Sequence, residues 1–227
     1  VAKGRRLSVQ ELTIGVLGGT GAQGRGLAYR WAKAGLSVLI GSRDAARAES
    51  SAAELRAATG SDTVAGADNA GVAARSDVVV VAVPWDAHAA TLEPLRAELA
   101  GKIVVDCVNP LGFDKQGPFR LDVPEGSAAE QAAALLPESR VTASFHHVSA
   151  VLLADGDVEK VDTDVLVLGD DREATDLVRE LAERIPGVRG IYGGRLRNAG
   201  QVEAFTANLI AINRRYKAHA GIRITDV

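Results

Sequence analysis

Cysteine is almost missing from this chain: Cys107 is the single one in 227 residues, so no disulfide can form within it. It lies in the apolar run Ile103 to Val108 with no base beside it in sequence, and reads as a packed strand residue rather than a nucleophile. Aromatic residues make up only 4%, which leaves Ala, Val and Leu to build most of the core. No stretch approaches the roughly 20 apolar residues of a membrane span. The start carries Lys3, Arg5 and Arg6 without the apolar core of a secretory signal after them. Charge of one sign is not in large excess either. A net charge of −3 argues against nonspecific nucleic-acid binding, so an anionic ligand must be met by local basic clusters. These absences predict a cytoplasmic protein with small-molecule partners, no nucleic acid and no membrane.

Several catalytic signatures are absent too. There is no Tyr-x-x-x-Lys pair of the short-chain dehydrogenase type, no Ser/His/Asp arrangement, and no Glu or Lys placed convincingly in an apolar run. His146 and His147 are adjacent, but no Cys, Asp or Glu stands near them at ligand spacing, so no metal is expected. His88 and His219 read as helix-surface residues.

What is present is concentrated between Thr13 and Arg25, TIGVLGGTGAQGR. Thr13 to Leu17 is a short, uncharged, β-branched and apolar run, hence a buried strand. Gly18 and Gly19 end it, and Ala22 opens a segment with helical spacing. Gly19, Gly21 and Gly24 form G-x-G-x-x-G in the strand–turn–helix setting that dinucleotide binding requires. Gly19 permits the tight turn, Gly21 lets backbone approach a pyrophosphate, and Gly24 lets helix pack on strand. The free N–H groups and positive end of that helix then face the phosphates. No Gly-Lys-Ser/Thr follows, which excludes a Walker loop.

The second strand, Ser37 to Ile40, decides which dinucleotide binds. NAD enzymes usually place an acid at its end for the ribose 2′-hydroxyl, but here stand Gly41, Ser42 and Arg43. A hydroxyl beside a guanidinium suits a 2′-phosphate, and Arg47 follows one helical turn later. NADP is the expected cofactor.

Along the rest of the chain, helices at Ala45 to Ala58, Asn69 to Ala74, Asp86 to Leu99 (capped by Asp86), Ser127 to Leu136 and Glu173 to Ile185 alternate with strands. The strands are Thr63 to Ala65, Val78 to Val83, Ile103 to Val108, Val141 to Phe145, Asp164 to Leu168 and an edge strand at Val188 to Tyr192. This alternation predicts an α/β fold with a doubly wound, mainly parallel Rossmann-type sheet and a small C-terminal helical lobe. The division is a dinucleotide-binding domain at 12–190 and a lobe at 191–227. The segment from Asn109 to Gly126, rich in proline and glycine, reads as a long functional loop. In the last helix Val202, Phe205, Leu209, Ile212 and Tyr216 recur at 3-4-3-4 spacing, an apolar seam expected to help pair two subunits in a homodimer.

Ligands of open parallel sheets lie outside the carboxyl ends of the strands. Those ends bring together Gly18 to Gly24, Ser42-Arg43, Val83-Pro84-Trp85, Asn109 and His146 to Ala150. Adjacent strand residues face opposite ways, so at most one of His146 and His147 should face the cleft. A dehydrogenase of a small carbonyl compound would need an acid/base, which only a histidine could supply. Transfer between two redox cofactors needs less, since holding two rings face to face can suffice. A non-catalytic NADP-binding redox sensor is a third reading.

The stretches GVLGGTGAQGRGLAYRWAKAGLSVLIGSRD, VVVVAVPWDAH, VTASFHHVSAVLL, VLVLGDD and GRLRNAGQVEAFTANLIAINRRYKAHAGI resemble, in order, the NADPH-dependent F420 reductase family. The resemblance implies hydride transfer between carbon 4 of the nicotinamide of NADP(H) and carbon 5 of the deazaflavin coenzyme F420. It implies that Gly18, Gly19, Thr20, Gly21, Ala22, Gln23 and Gly24 cradle the nucleotide, with Thr20, Ser42, Arg43 and Arg47 at the 2′-phosphate. Val83, Pro84, Trp85, Asn109, His146, Val148 and Ala150 would border the two rings, positioned chiefly by His146 and Val148. Where the family reads His-Thr-Ile-Pro-Ala, this chain has His146-His147-Val148-Ser149-Ala150, a roomier wall without the proline. F420 is anionic, and Lys115, Arg120, Arg195 and Arg197 are candidates to line its exit.

Overall fold

A computed structural model describes residues 8–227; the basic residues Lys3, Arg5 and Arg6 lie outside it. Among the described residues ten strands are formed: β1 (Thr13–Leu17), β2 (Ser37–Ser42), β3 (Val64–Asp68), β4 (Val78–Val81), β5 (Ile103–Asp106), β6 (Leu111–Asp114), β7 (Gly117–Arg120), β8 (Arg140–Ala143), β9 (Thr163–Gly169) and β10 (Val188–Gly194). Eight of them make one sheet in the order β10-β9-β8-β5-β4-β1-β2-β3, and β6 and β7 pair separately. Every neighbouring pair of the large sheet is parallel except β8 with β9. The expected doubly wound, mainly parallel Rossmann-type sheet is therefore what forms. The order reverses direction between β1 and β4, the place where an open sheet leaves a crevice.

The α-helices among the described residues are α1 (Ala22–Lys33), α2 (Ala45–Thr59), α3 (Asn69–Arg75), α4 (His88–Leu92), α5 (Arg96–Leu99), α6 (Ala128–Leu135), α7 (Ala150–Ala154), α8 (Arg172–Glu183) and α9 (Ala199–Tyr216). The run of four valines in β4 shows why the strands carry no polar face. Val78 and Val80 belong to the core on one side of the sheet, and Val79 and Val81 to the core on the other. The first core packs α1 and α8 through Leu27, Trp31, Val178 and Leu181; the second packs α3 and α6 through Val72, Ala128 and Ala132.

Four expectations are corrected. The helix from Asp86 to Leu99 is broken into Trp85–Ala87, α4, Glu93–Leu95 and α5, because Pro94 has no N–H to continue a ladder. Pro84 precedes the first of these turns, and Asp86 does not cap it. The loop from Asn109 to Gly126 contains the hairpin β6–β7, whose turn is closed by Asp114 Oδ1 accepting from the Gln116 and Gly117 amides at 2.7 and 3.1 Å. Finally, β8 stops at Ala143, since Phe145 takes φ +64°, so His146 and His147 stand on a turn. The strand-alternation argument does not apply to them.

The last helix packs its own chain with Val202, Glu203, Thr206 and Leu209, against α6 and the hairpin. Phe205, Ile212 and Tyr216, expected in the same seam, are exposed. β10 continues to Gly194, so the 191–227 part takes in the end of that strand. Beyond α9 the chain returns to the sheet edge. Asp164 accepts from Arg189, Arg223 and the Ile224 amide, and these contacts hold its carboxyl well below the usual range.

Candidate active site

The end of the crevice at the β1–α1 turn, expected to take the phosphates, is built from backbone. Gly18 turns at φ +72°, where a Cβ would stand 2.6 Å from the Ala82 carbonyl oxygen. The turn is drawn onto β2 by Gly19 N–H donating to Gly41 O at 3.0 Å. Gly21 is the N-cap of α1 and has no side chain to cap with. By contrast α2, α3, α6, α7 and α8 are capped by Asp44, Asp68, Ser127, Ser149 and Asp171. The first amides of α1, from Ala22, Gln23 and Gly24, are thus left for an external acceptor. A Cβ on Gly24 would lie 2.9 Å from Gly19 Cα, so this glycine is what allows helix and turn to close.

Ser42 ends β2 with its hydroxyl accepting from the Asp44 amide at 3.2 Å. Arg43 and Arg47 are exposed and have no acidic partner among the described residues. Ser42 and Arg43 line a cavity of about 390 Å³ together with Asp68, Asn69, Thr91 and Pro94. Asp68, the acid there, spends its carboxylate accepting from Gly71 N–H at 2.7 Å.

The end expected to border the rings is built from side chains. Val83 stands where a Cβ on Gly18 would come within 2.9 Å of its Cγ1, and Pro84 and Trp85 follow it. Asn109, just past β5, donates from Nδ2 to His146 O at 3.0 Å, and its Oδ1 has no partner. Both ring nitrogens of His146 are likewise unpartnered, although the residue is buried. Burial pushes the pKa of His146 and of His147 down to about 4, so both are neutral near pH 7. The His147 Nε2 accepts from Leu166 N–H at 3.4 Å and so faces β9. Val148 is buried, and Ser149 caps α7, which begins at Ala150. Phe145 packs edge-on against Trp31 at 5.6 Å, and its carbonyl accepts from Gln23 Nε2 at 3.0 Å. Gln23 thereby ties α1 to the ring-end turn.

Most of the anticipated residues therefore meet around the carboxyl ends of β1, β2, β4, β5 and β8. Of the four basic candidates for an anionic tail, Arg120 and Arg197 share one cavity of about 360 Å³ with Pro110, Gly126 and Glu203. Lys115 sits in the hairpin turn, and Arg195 pairs with Asp170 at 3.6 Å in a different cavity. Cys107 donates to Val81 O at 3.0 Å, and burial raises its thiol pKa far above the ordinary value. It packs, as expected. Among the described residues no group of His, Cys, Asp and Glu could hold a metal.

A buried polar cluster behind the ring end was not anticipated. His88 is fully buried rather than on a helix surface, because the broken helix turns its first residue inward. Its Nε2 lies 2.7 Å from Asp106 Oδ2 and its Nδ1 2.9 Å from Gln131 Oε1. Glu203, on the inner face of α9, accepts from the Ala128 and Ala129 amides at 3.0 and 3.2 Å. Burial outweighs those bonds and raises its pKa to about 7. One signal for this cluster was available: Asp106 is an acid inside the apolar run Ile103 to Val108. His88 and Glu203 gave none.

Residues 13–110 match the family model described as NADP oxidoreductase, coenzyme F420-dependent. The chain is 43% identical over 228 residues to the F420-dependent NADP reductase of Methanothermobacter thermautotrophicus, covering 97% of this chain and 98% of that one. It is 41% identical to the enzyme of the same name from Methanocaldococcus jannaschii, covering 95% and 99%. A solved structure from Arthrobacter sp. FB24, provisionally described as an F420-dependent NADP-reductase, superposes with a TM-score of 0.81. Its identity is 29%, covering 94% of this chain and 99% of that one.

Proposed function

This chain belongs to the family of coenzyme F420-dependent NADP oxidoreductases, and from that premise and its own site we infer an enzyme that moves a hydride between NADP(H) and F420. The nicotinamide and the deazaflavin supply the redox chemistry when bound; the protein supplies direction, spacing and exclusion of water.

One observation carries the assignment of the site. At the ring end Asn109 Oδ1 and both nitrogens of His146 are buried without partners, a costly arrangement unless a ligand supplies them. Neutral His146 and half-buried Asn109 suit the amide edges of two planar rings. The roles follow in order along the crevice. Gly18, Gly19, Gly21 and Gly24 let the pyrophosphate reach the uncapped amides of α1. Thr20, Ser42, Arg43 and Arg47 take the 2′-phosphate and thereby select NADP over NAD. Val83, Pro84 and Trp85 wall the nicotinamide, and His146, Val148 and Ala150 border the space where the rings meet. Arg120 and Arg197, which share one cavity, draw the anionic tail of F420 out between the hairpin and α9.

The protein acts as a homodimer in this reading. Phe113 and Phe119 on the hairpin and Phe205, Ile212 and Tyr216 on α9 are all exposed, with Tyr216 at 73%. Apolar surface shared by two adjacent elements suits an isologous contact. No helix among the described residues is long and apolar enough to cross a membrane, which is compatible with work in the cytoplasm.

The test is spectrophotometric. Purified protein is mixed with NADPH and oxidised F420 at mildly acidic pH, since reducing F420 with NADPH consumes a proton. Rapid bleaching of the visible deazaflavin band with NADPH, and not with NADH or with FMN as acceptor, is expected. NADPH binding without bleaching would overturn the reaction and favour the sensor reading; oxidation of NADPH by a small carbonyl compound instead would favour the dehydrogenase.

A further inference from the structure

The cluster behind the ring end has a charge state that can be read from its hydrogen bonds. Gln131 Nε2 faces Glu125 Oε2 at 3.3 Å, and a carboxylate oxygen can only accept. That fixes the amide, so the atom facing His88 Nδ1 is the acceptor Oε1, at 2.9 Å. The other ring nitrogen, Nε2, faces Asp106 Oδ2 at 2.7 Å. In this orientation both nitrogens of His88 meet acceptors, which suits a ring protonated on both and paired with the Asp106 carboxylate. His88 is fully buried. Burial works against that charge, but the hydrogen bond and charge of Asp106, with help from Gln131, hold its pKa above the ordinary histidine value. The charged groups turned toward it are Asp106 on β5, Glu203 on α9 and, through Gln131, Glu125.

This ion pair touches two of the loops that border the rings. The His88 imidazolium lies against the indole of Trp85, centroid to centroid 5.5 Å and 32° apart, as a cation stacks on an aromatic face. The other oxygen of Asp106, Oδ1, accepts from Val108 N–H at 3.0 Å and so shapes the turn that delivers Asn109. The backbone of Asp106 also accepts from Ser144 N–H at 2.9 Å, at the start of the segment leading to His146. A buried ion pair adds little net stability over apolar packing; what it supplies is fixed direction.

We propose that His88 and Asp106 are positioning residues of hydride transfer, a fixed imidazolium–carboxylate pair that aims Trp85 and Asn109 at the space between the rings. The proposal rests on the F420 reaction inferred above, and neither residue touches the rings. Its consequence is a separation of parameters: the phosphate end keeps its grip on NADPH while the rings lose alignment.

The experiment has a spectroscopic arm and a kinetic arm. In ¹⁵N NMR of the wild-type side chains near pH 7, His88 should show two protonated nitrogens. In stopped-flow kinetics, His88→Leu and Asp106→Asn should slow hydride transfer about 30–100-fold at saturating NADPH and F420, the scale of a misaligned near-attack geometry, with the NADPH KM within about threefold. His88→Gln keeps a donor for Asp106 and should recover part of the rate. Trp85→Leu should reproduce the loss without disturbing the pair, which keeps a kinetic test available if the charged-pair variants do not fold. Neutral His88 in the wild type, or a folded His88→Leu with wild-type rate, overturns the proposal. Should the wild type fail to bleach F420, the functional reading falls; the NMR result then decides whether the ion pair exists.

Discussion

The two ends of the crevice solve the same problem, holding an anionic planar ligand, with different materials. At the end expected to take the phosphates, main-chain amides of α1 are left uncapped, and the glycines around them are small enough to stay out of the way. At the end expected to border the rings, unpartnered polar atoms of His146 and Asn109 face the crevice, backed by the buried His88, Asp106 and Glu203. Backbone amides do not titrate, so the first end is indifferent to pH. The second carries groups whose ionisation burial has displaced in both directions, and its order depends on their staying as they are.

The largest expected effect is therefore acid loss of stability from the ring end. His146 and His147 have folded pKa values of about 4 against an ordinary 6.5, so between those values the unfolded chain binds more protons and stability rises with pH. Glu203 acts oppositely: with a folded value of about 7 against 4.5, it favours the folded state less as pH climbs through that range. His88, raised above 6.5, also contributes stability that is lost as pH rises through its folded value. The balance is a maximum near pH 6.5 and a net loss of about 3 kcal/mol on going down to pH 4. Urea unfolding at five pH values measures it. His147→Gln should flatten the acid limb, and a curve flat from pH 4 to 7 would remove the contrast between the two ends.

The phosphate end breaks by adding atoms. At Gly18, with φ +72°, a Cβ would sit 2.6 Å from Ala82 O, and main-chain atoms cannot swing aside. Gly18→Ala should cost about 2–4 kcal/mol in unfolding free energy. At Gly21 the nearest atom to a Cβ is 3.3 Å away, so the fold tolerates alanine. There the methyl group instead stands where the pyrophosphate approaches, and NADPH affinity should fall at least about tenfold with melting temperature nearly unchanged. Calorimetry with and without NADPH separates the two variants.

The contrast between the ends also explains what the sequence disclosed. Glycines at fixed spacing between an apolar strand and a helix are a local pattern, and so are Ser42 and Arg43 at the end of β2; all can be read without knowing the fold. The sheet followed for the same reason, since the valine runs announce strands buried on two faces. The antiparallel pairing of β8 with β9 is a relation between distant segments, and nothing in either strand declares it. His88 was misplaced because a continuous helix from Asp86 was expected, whereas the segment breaks into short turns and α4 begins at His88 with its ring buried. Glu203 was invisible because its partners, the Ala128 and Ala129 amides, lie 75 and 74 residues away in sequence. Phe145, a bulky residue at positive φ, ended β8 early, a strain that local propensity does not foresee.

A smaller effect is expected at Arg43, where side chain and ligand meet without any structural burden. Arg43 is exposed and unpaired among the described residues, so Arg43→Ala should leave unfolding free energy within about 0.5 kcal/mol. Loss of one charge-assisted contact at about 1.5–3 kcal/mol should weaken NADPH about 10–100-fold. NADH, which lacks the phosphate, should bind as before. Steady-state KM values for both nucleotides check this, and an equal loss for NADH would detach Arg43 from the 2′-phosphate.

The smallest effect sharpens the comparison most, because it concerns a bond that joins the two ends. Gln23 belongs to α1 by position, in the first turn where phosphate is expected, yet its Nε2 donates across the crevice to Phe145 O at 3.0 Å. If its weight lies with the ring end, Gln23→Ala costs about 1 kcal/mol of stability, the worth of one part-buried hydrogen bond. It should also slow hydride transfer about threefold by loosening the Phe145–Val148 turn, with the NADPH KM nearly constant. A raised KM at an unchanged rate would instead assign Gln23 to the phosphates. In that case Phe145 is held by the packing of its ring on Trp31 and by the flanking turn, and α1 serves the ring end through Trp31 and its contacts with α7.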